Sequence, residues 1–207
     1  MNILAIETSV PHASLCLYAE GNFLFTTSWQ AERNHDAHLF PALLQALDML
    51  QPADVIDYIL VGAGPGSYGG VRVALAAGVG IATVTDARLI AVESWAQLAS
   101  GDACVVADAR RGGWTVRFPD GRIEVLSPEE IKQLPNALHT VESAETMETK
   151  GITNIQKSGL RPTAEGLVNS WLSMSDIERD QLAAKPAEPI YVRPPHITAA
   201  ARKPWEI

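Results

Sequence analysis

The stretch DYILVGAGPGSYGGVRVALAAGVGIATV, residues 57–84, decides the fold class. Its opening, DYILVGA, is a short aliphatic run that reads as a buried strand. A glycine-rich loop follows, and then an apolar run of helical length. A helix that follows a strand packs back on the sheet and returns the chain to a parallel neighbour, so this order marks an α/β unit. ARLIAV, residues 87–92, supplies the next strand.

The loop itself has two readings. Gly64, Gly66 and Gly69 satisfy G-x-G-x-x-G between a strand and a helix, the context of a dinucleotide turn. Against that, Pro65 removes a backbone N–H, the strand before it is not the first in the chain, and no lysine follows to make a P-loop. The other reading is a turn whose glycines allow positive φ and close packing of helix on sheet. Spacing leaves both open for Gly64, Pro65, Gly66, Ser67 and Gly70.

Upstream, NILAIETS reads as a strand. ASLCLYA alternates, with Leu15, Leu17 and Ala19 on one face and Ser14, Cys16 and Tyr18 on the other. Glu20-Gly21-Asn22 signals a turn, and FLFTTSW a third strand. An antiparallel meander is expected, then a helix over residues 35–50, and a short helix at ESWAQLAS, residues 93–100. The order is β-β-β-α-β-α-β-α with a mixed sheet. A boundary at Gly101-Asp102 gives a first lobe over residues 1–101 and a smaller second lobe over 102–207. The second lobe opens with the strand ACVVADA. WTVRF and RIEVL form a hairpin about Pro119-Asp120-Gly121. SPEEIKQL starts a helix with Ser127 as N-cap, Pro128 in the first position and Glu130 closing a capping box. The pattern weakens from residue 135 to 162. TAEGLVNSWLSM reads as a helix, and PAEPIYVRPPHITAA as an edge strand and an extended tail.

Sixteen Lys and Arg against 24 Asp and Glu leave a net charge of −8. Phosphate-backbone affinity comes from Lys and Arg displacing counterions, so direct nucleic-acid binding by this chain alone is not expected. Arg110 and Arg111 are the best basic pair. The two cysteines, Cys16 and Cys104, form no C-x-x-C pair and read as buried reduced thiols. MNILAIETSV lacks a basic n-region and is interrupted by Glu7, unlike a signal peptide. The uncharged run over residues 73–84 is shorter than the roughly 20 residues a bilayer needs. A soluble, cytoplasmic protein with no membrane contact is expected.

Both first-lobe helices are too apolar for a single sheet contact. On the first, apolar residues from Leu39 to Leu50 cover roughly 220° of the surface, where a stripe of roughly 100° would serve one sheet face. The second is apolar or small all round, and Ala74, Ala77, Gly78 and Ala82 permit close helix approach. The excess is covered either by the chain's second lobe or by a protein partner. His35 and His38 lie i, i+3 without a third ligand, so no metal site is expected. Glu7, Glu93 and Asp108 fall at strand ends, where carboxylates serve either catalysis or capping. No nucleophile–base pair supports a peptidase.

ILAIETS, GPGSYGGVR, DARRG and EPIYVR, in this order and at these separations, resemble the bacterial TsaB family, the dimerisation subunit of the tRNA threonylcarbamoyladenosine transferase complex. The family's loop usually reads GPGSFTGLR; here Tyr68, Gly69 and Val71 stand for Phe, Thr and Leu, and a hydroxyl is lost at Gly69. The resemblance implies a two-lobed actin/hexokinase/Hsp70-like (ASKHA, ribonuclease H-like) α/β fold with mixed sheets. It implies a non-catalytic scaffold that binds the TsaD catalytic subunit and, through the pair, the ATPase TsaE. The assembly modifies adenosine 37 of tRNAs that read codons starting with A, using a threonylcarbamoyl-adenylate made by a separate enzyme. TsaD holds metal with an H-x-x-x-H pair, and none of the five histidines here has another four residues on. Family members pair through the first two helices, which nominates His35, Leu39, Ala42, Leu43, Ala46 and Leu47 on one helix and Arg72, Leu75, Ala76 and Val79 on the other. Alone, the same helices are expected to form a homodimer. No cofactor is expected, and no more than weak ATP binding. The alternative is a small ASKHA-type nucleotide-binding hydrolase or transferase using Glu7, Ser67 and Asp108.

Overall fold

The computed structural model describes residues 1–31, 34–51, 54–109 and 111–193. Arg110, His196 and the expected extended tail from residue 194 lie outside the described residues. Two five-stranded mixed sheets carry the fold. The first has the order β3-β2-β1-β4-β5, with β1 Ile3–Glu7, β2 His12–Ala19, β3 Asn22–Gln30, β4 Tyr58–Gly62 and β5 Arg88–Val92. β1, β2 and β3 pair antiparallel as the meander requires, and β1, β4 and β5 pair parallel.

β1 is buried at every position, and its side chains alternate between two cores. Leu4 and Ile6 join Leu15, Leu17, Ile59 and Val61 under helices α1 (Asp36–Leu47) and α2 (Tyr68–Thr85). Ile3 and Ala5 join Cys16, Leu60 and Ile90 on the opposite face. A strand covered on both sides has no polar positions to alternate, hence the uninterrupted ILAI. The opposite face is closed by α5 (Ala164–Ser173), which sets Leu167, Val168 and Trp171 on β1, β2 and β4, with α6 (Asp176–Ala183) against β5. The Ala164 amide donates to Ser14 Oγ at 2.8 Å and docks the start of α5. The layer built on the first sheet therefore draws on residues 164–183 as well as on residues 3–92.

The second sheet has the order β10-β9-β6-β7-β8, with β6 Cys104–Asp108, β7 Trp114–Arg117, β8 Ile123–Leu126, β9 Leu138–Thr140 and β10 Ile155–Lys157. β7 and β8 form the expected hairpin. α3 (Pro128–Lys132) has the expected capping box, Ser127 with Glu130. Between the sheets, Arg117 Nε donates to Glu93 Oε1 at 2.5 Å, and buried His139 holds Leu98 O (2.9 Å) and Gln156 Oε1 (3.0 Å). Burial pushes the Glu93 carboxyl upward, and the Arg117 guanidinium offsets part of that shift.

Several expectations are corrected. Residues 48–50 leave α1 through a tightened turn, with Met49 N on Ala46 O and Leu50 N on Leu47 O. ESWAQLAS holds only a 3-10 turn at Ala96–Leu98. The weak region contains β9, α4 (Ala144–Thr149) and β10. α6, started by a capping box of Ser175 with Glu178, adds a helix beyond those expected. Residues 186–193 form no strand: Pro186 and Pro189 lack an N–H, and the segment instead places Ile190 N on Ala63 O at 2.8 Å.

Candidate functional site: a closed glycine loop and an exposed helix pair

The glycine loop lies flat on the turn after β1. Ser67 N donates to Ser9 O at 2.6 Å, and Thr8 Oγ1 donates to Gly70 O at 2.7 Å. A Cβ on Gly66 would overlap the Ser9 carbonyl oxygen, and one on Gly70 the Thr8 carbonyl oxygen. Backbone against backbone leaves no room for a side chain, which is why glycine stands at both. Ser67 is the N-cap of α2, its Oγ accepting the Gly70 amide. Donors that a phosphate would need at Gly64, Ser67 and Gly70 are held by Ser94 Oγ, Ser9 O and Ser67 Oγ. Of the two readings, this geometry favours the tight turn that sets α2 on the sheet.

Beneath the loop, Glu7 is fully buried, and Gly62 packs directly on its carboxyl. Oε1 accepts the Ser9 amide at 2.7 Å, while Oε2 has no hydrogen-bond partner. Burial raises the Glu7 pKa; the nearby Ser9 and Ser94 hydroxyls and the Ser9 and Thr8 amides offset part of that shift. A cleft of about 620 Å³ separates the two sheets and is lined by Ser67, Trp95, Asp108, Glu142 and Tyr191, among others. Ser67 and Asp108 reach it, but Glu7 does not line it. Asp108 is paired with Lys150 Nζ at 2.5 Å, and Lys150 also lies over the Trp114 ring. The three groups of the hydrolase alternative are thus a sealed carboxyl, a helix cap and an ion-paired carboxylate. No cluster of three metal-ligating side chains occurs among the described residues.

α1 and α2 lie side by side on one face of the first sheet, α1 over β2 and β3, α2 over β4 and β5. Each helix divides its wide apolar arc between two stripes. Leu39, Ala42, Leu43 and Ala46 face the sheet and are buried, as is Leu75 on α2. His35 and Leu47 are half-buried, Leu47 against the core. Arg72, Ala76 and Val79 are exposed. The expected interface residues are therefore split: five belong to the chain's own core, and three stand on the outer face. The nominated interface omits Phe40 (54% exposed), Leu44 (64%) and Val84 (82%), although all three are exposed apolar groups on these helices. The signal was present in the i, i+4 pair Phe40/Leu44, displaced by one position from the inward Leu39/Leu43 pair. Gly80 and Thr83 complete the stripe on α2. α2 is 18 residues long, and by length and composition alone it could cross a membrane, a test that the core helix of a folded domain also passes. Its inner face (Val71, Ala74, Gly78, Ile81) is packed on the sheet.

A family model described as TsaD, tRNA N6-adenosine threonylcarbamoyltransferase, matches residues 29–173. The chain belongs to this family. Within it, the TsaB resemblance carried by ILAIETS, GPGSYGGVR, DARRG and EPIYVR holds: the chain is similar to the tRNA threonylcarbamoyladenosine biosynthesis protein TsaB of Bacillus subtilis, 31% identical over 150 residues. That match covers 67% of this chain and 65% of the relative, slightly under two thirds of the relative's length. Two solved structures from Pseudomonas aeruginosa share the fold at a TM-score of 0.70. One is YeaZ, 22% identical, covering 92% of this chain and 99% of that one. The other is a protein with similarity to peptidase YEAZ, 24% identical, covering 93% and 99%. Both share the α/β fold of two mixed sheets, which in this TsaD-family chain is ASKHA-like.

Proposed function

We propose that this chain is a non-catalytic subunit in tRNA threonylcarbamoyladenosine biosynthesis, docking the outer faces of α1 and α2 on the helices of a TsaD catalytic subunit. One observation carries the reading: Phe40, Leu44, Ala76, Val79 and Val84 form an apolar surface on two adjacent helices that the chain's own second lobe leaves uncovered. Surfaces of this kind on a folded domain mark interaction sites. The pair would then recruit TsaE and act on adenosine 37, with tRNA bound by the assembly and no cofactor on this chain. The same face pairs two copies of this chain when TsaD is absent.

The test is light scattering coupled to size exclusion, on this chain alone and mixed with TsaD from the same genome. Leu44→Glu and Val79→Glu each place an unpaired charge in a dry interface, a cost of about 3 kcal/mol or more, which is over about a hundredfold in affinity. Loss of the mixed peak with both folded variants supports the reading. Folded variants that bind TsaD at wild-type strength would overturn it.

A further inference from the structure

The segment after α6 crosses from one lobe to the other along the wall of the cleft. Ile190 N donates to Ala63 O at 2.8 Å, at the foot of the glycine loop, and the Ile190 carbonyl oxygen lies against Gly64. Tyr191 stacks on Tyr68, the first residue of α2, with ring centroids 4.9 Å apart and planes 25° off parallel. Two residues later the chain is on the other lobe. Arg193 Nη1 donates to Ala109 O at 3.5 Å, and its guanidinium covers Gly113, so both ends of the β6–β7 turn are touched. Residues 190–193 all line the cleft.

We propose that residues 190–193 are a latch that ties the glycine loop of the first lobe to the β6–β7 turn of the second and so sets how far the cleft opens. The chemistry suits a releasable contact. The contacts that hold the latch include a backbone hydrogen bond, a stack between half-exposed tyrosines and a long guanidinium–carbonyl bond. Tyr68, Tyr191 and Arg193 are all exposed. Local openings draw on such sparsely packed, solvent-facing elements. Gly113 is required for the seat, because a Cβ there would overlap the Arg193 guanidinium. The proposal stands apart from the docking reading, since it concerns only contacts within this chain.

The test is amide hydrogen exchange on the full chain carrying Tyr191→Ala with Arg193→Gln. Three amides report the two rims: Gly64 on Ser94 Oγ and Ser67 on Ser9 O in one lobe, and Ala109 on Gly113 O in the other. All three are expected to exchange about tenfold faster or more, while amides in the centres of β1 and β6 keep wild-type rates. Tyr191→Phe retains the stacked ring and is expected to exchange as wild type. Acceleration confined to residues 188–193 would show a segment merely draped on the surface and would overturn the latch. Equal acceleration of core and rim amides would overturn it as well, because the segment would then be part of the global fold.

Discussion

Replacing Gly70 by Ala separates a packed turn from a phosphate cradle. Gly70 has no positive φ to lose, so any cost is steric. The added methyl would overlap the Thr8 carbonyl oxygen and stand 3.0 Å from its carbon. Both sides of the contact are backbone, so no flexible side chain can give way. Relief requires lifting α2 off the turn after β1, which stretches Thr8 Oγ1 to Gly70 O and Ser67 N to Ser9 O. Overpacking of a tight site costs about 1–3 kcal/mol. Two hydrogen bonds add about 1 kcal/mol each. The expected loss is about 3–5 kcal/mol, a large part of the 5–15 kcal/mol that holds a typical domain together. Gly80→Ala is the control: it lies in the same helix, and a Cβ there meets nothing within 4 Å. It is expected to raise stability by about 0.5–1 kcal/mol through helix propensity. Guanidinium denaturation followed by circular dichroism reads both. With a slope of about 4 kcal/mol/M, Gly70→Ala moves the midpoint down by about 1 M. A Gly70→Ala protein that unfolds within about 0.5 kcal/mol of wild type would refute the packing argument and return the loop to ligand binding.

Leu43 and Leu44 are neighbours with opposite fates. Leu43→Glu buries a charge in the core and is expected to cost about 3 kcal/mol or more, while Leu44→Glu stays within about 0.5 kcal/mol of wild type in thermal melts run at protein concentrations low enough to keep both monomeric. Glu7→Gln replaces a sealed, titratable carboxyl by a neutral amide of the same shape, and the variant should gain stability relative to wild type as pH rises. Because the folded pKa of Glu7 lies above its ordinary value of 4.5, its contribution is fully present below that value and is lost as pH rises through the folded one. The gap between variant and wild type should therefore widen with rising pH; parallel profiles from pH 4 to 8 would refute it. Ser127→Ala breaks the capping box of α3, and about 1 kcal/mol of stability should go with it, read by urea denaturation.

The sequence by itself determined the elements whose signals are local. Aliphatic runs, turn residues and caps placed β1 to β5, the β7–β8 hairpin and the Ser127 cap, because each is decided by a handful of adjacent residues. The four motifs likewise carried the family. Tertiary structure alone decided three matters. β9 and β10 have three residues each, LHT and IQK, too few for a period; His139 and Thr140 are buried there only because β6 pairs beside them and Leu98 O meets the imidazole. The loop's G-x-G-x-x-G spacing is the same for phosphate binding and for close packing, and only the position of the Thr8 and Ser9 carbonyls, far away in the chain, separates the two. The outer face of the helix pair was hidden for a related reason. A wide apolar arc tells that a helix has two partners, but which stripe meets the sheet depends on the rotation of the helix about its axis, and that is set by packing on β2 to β5 across the whole lobe.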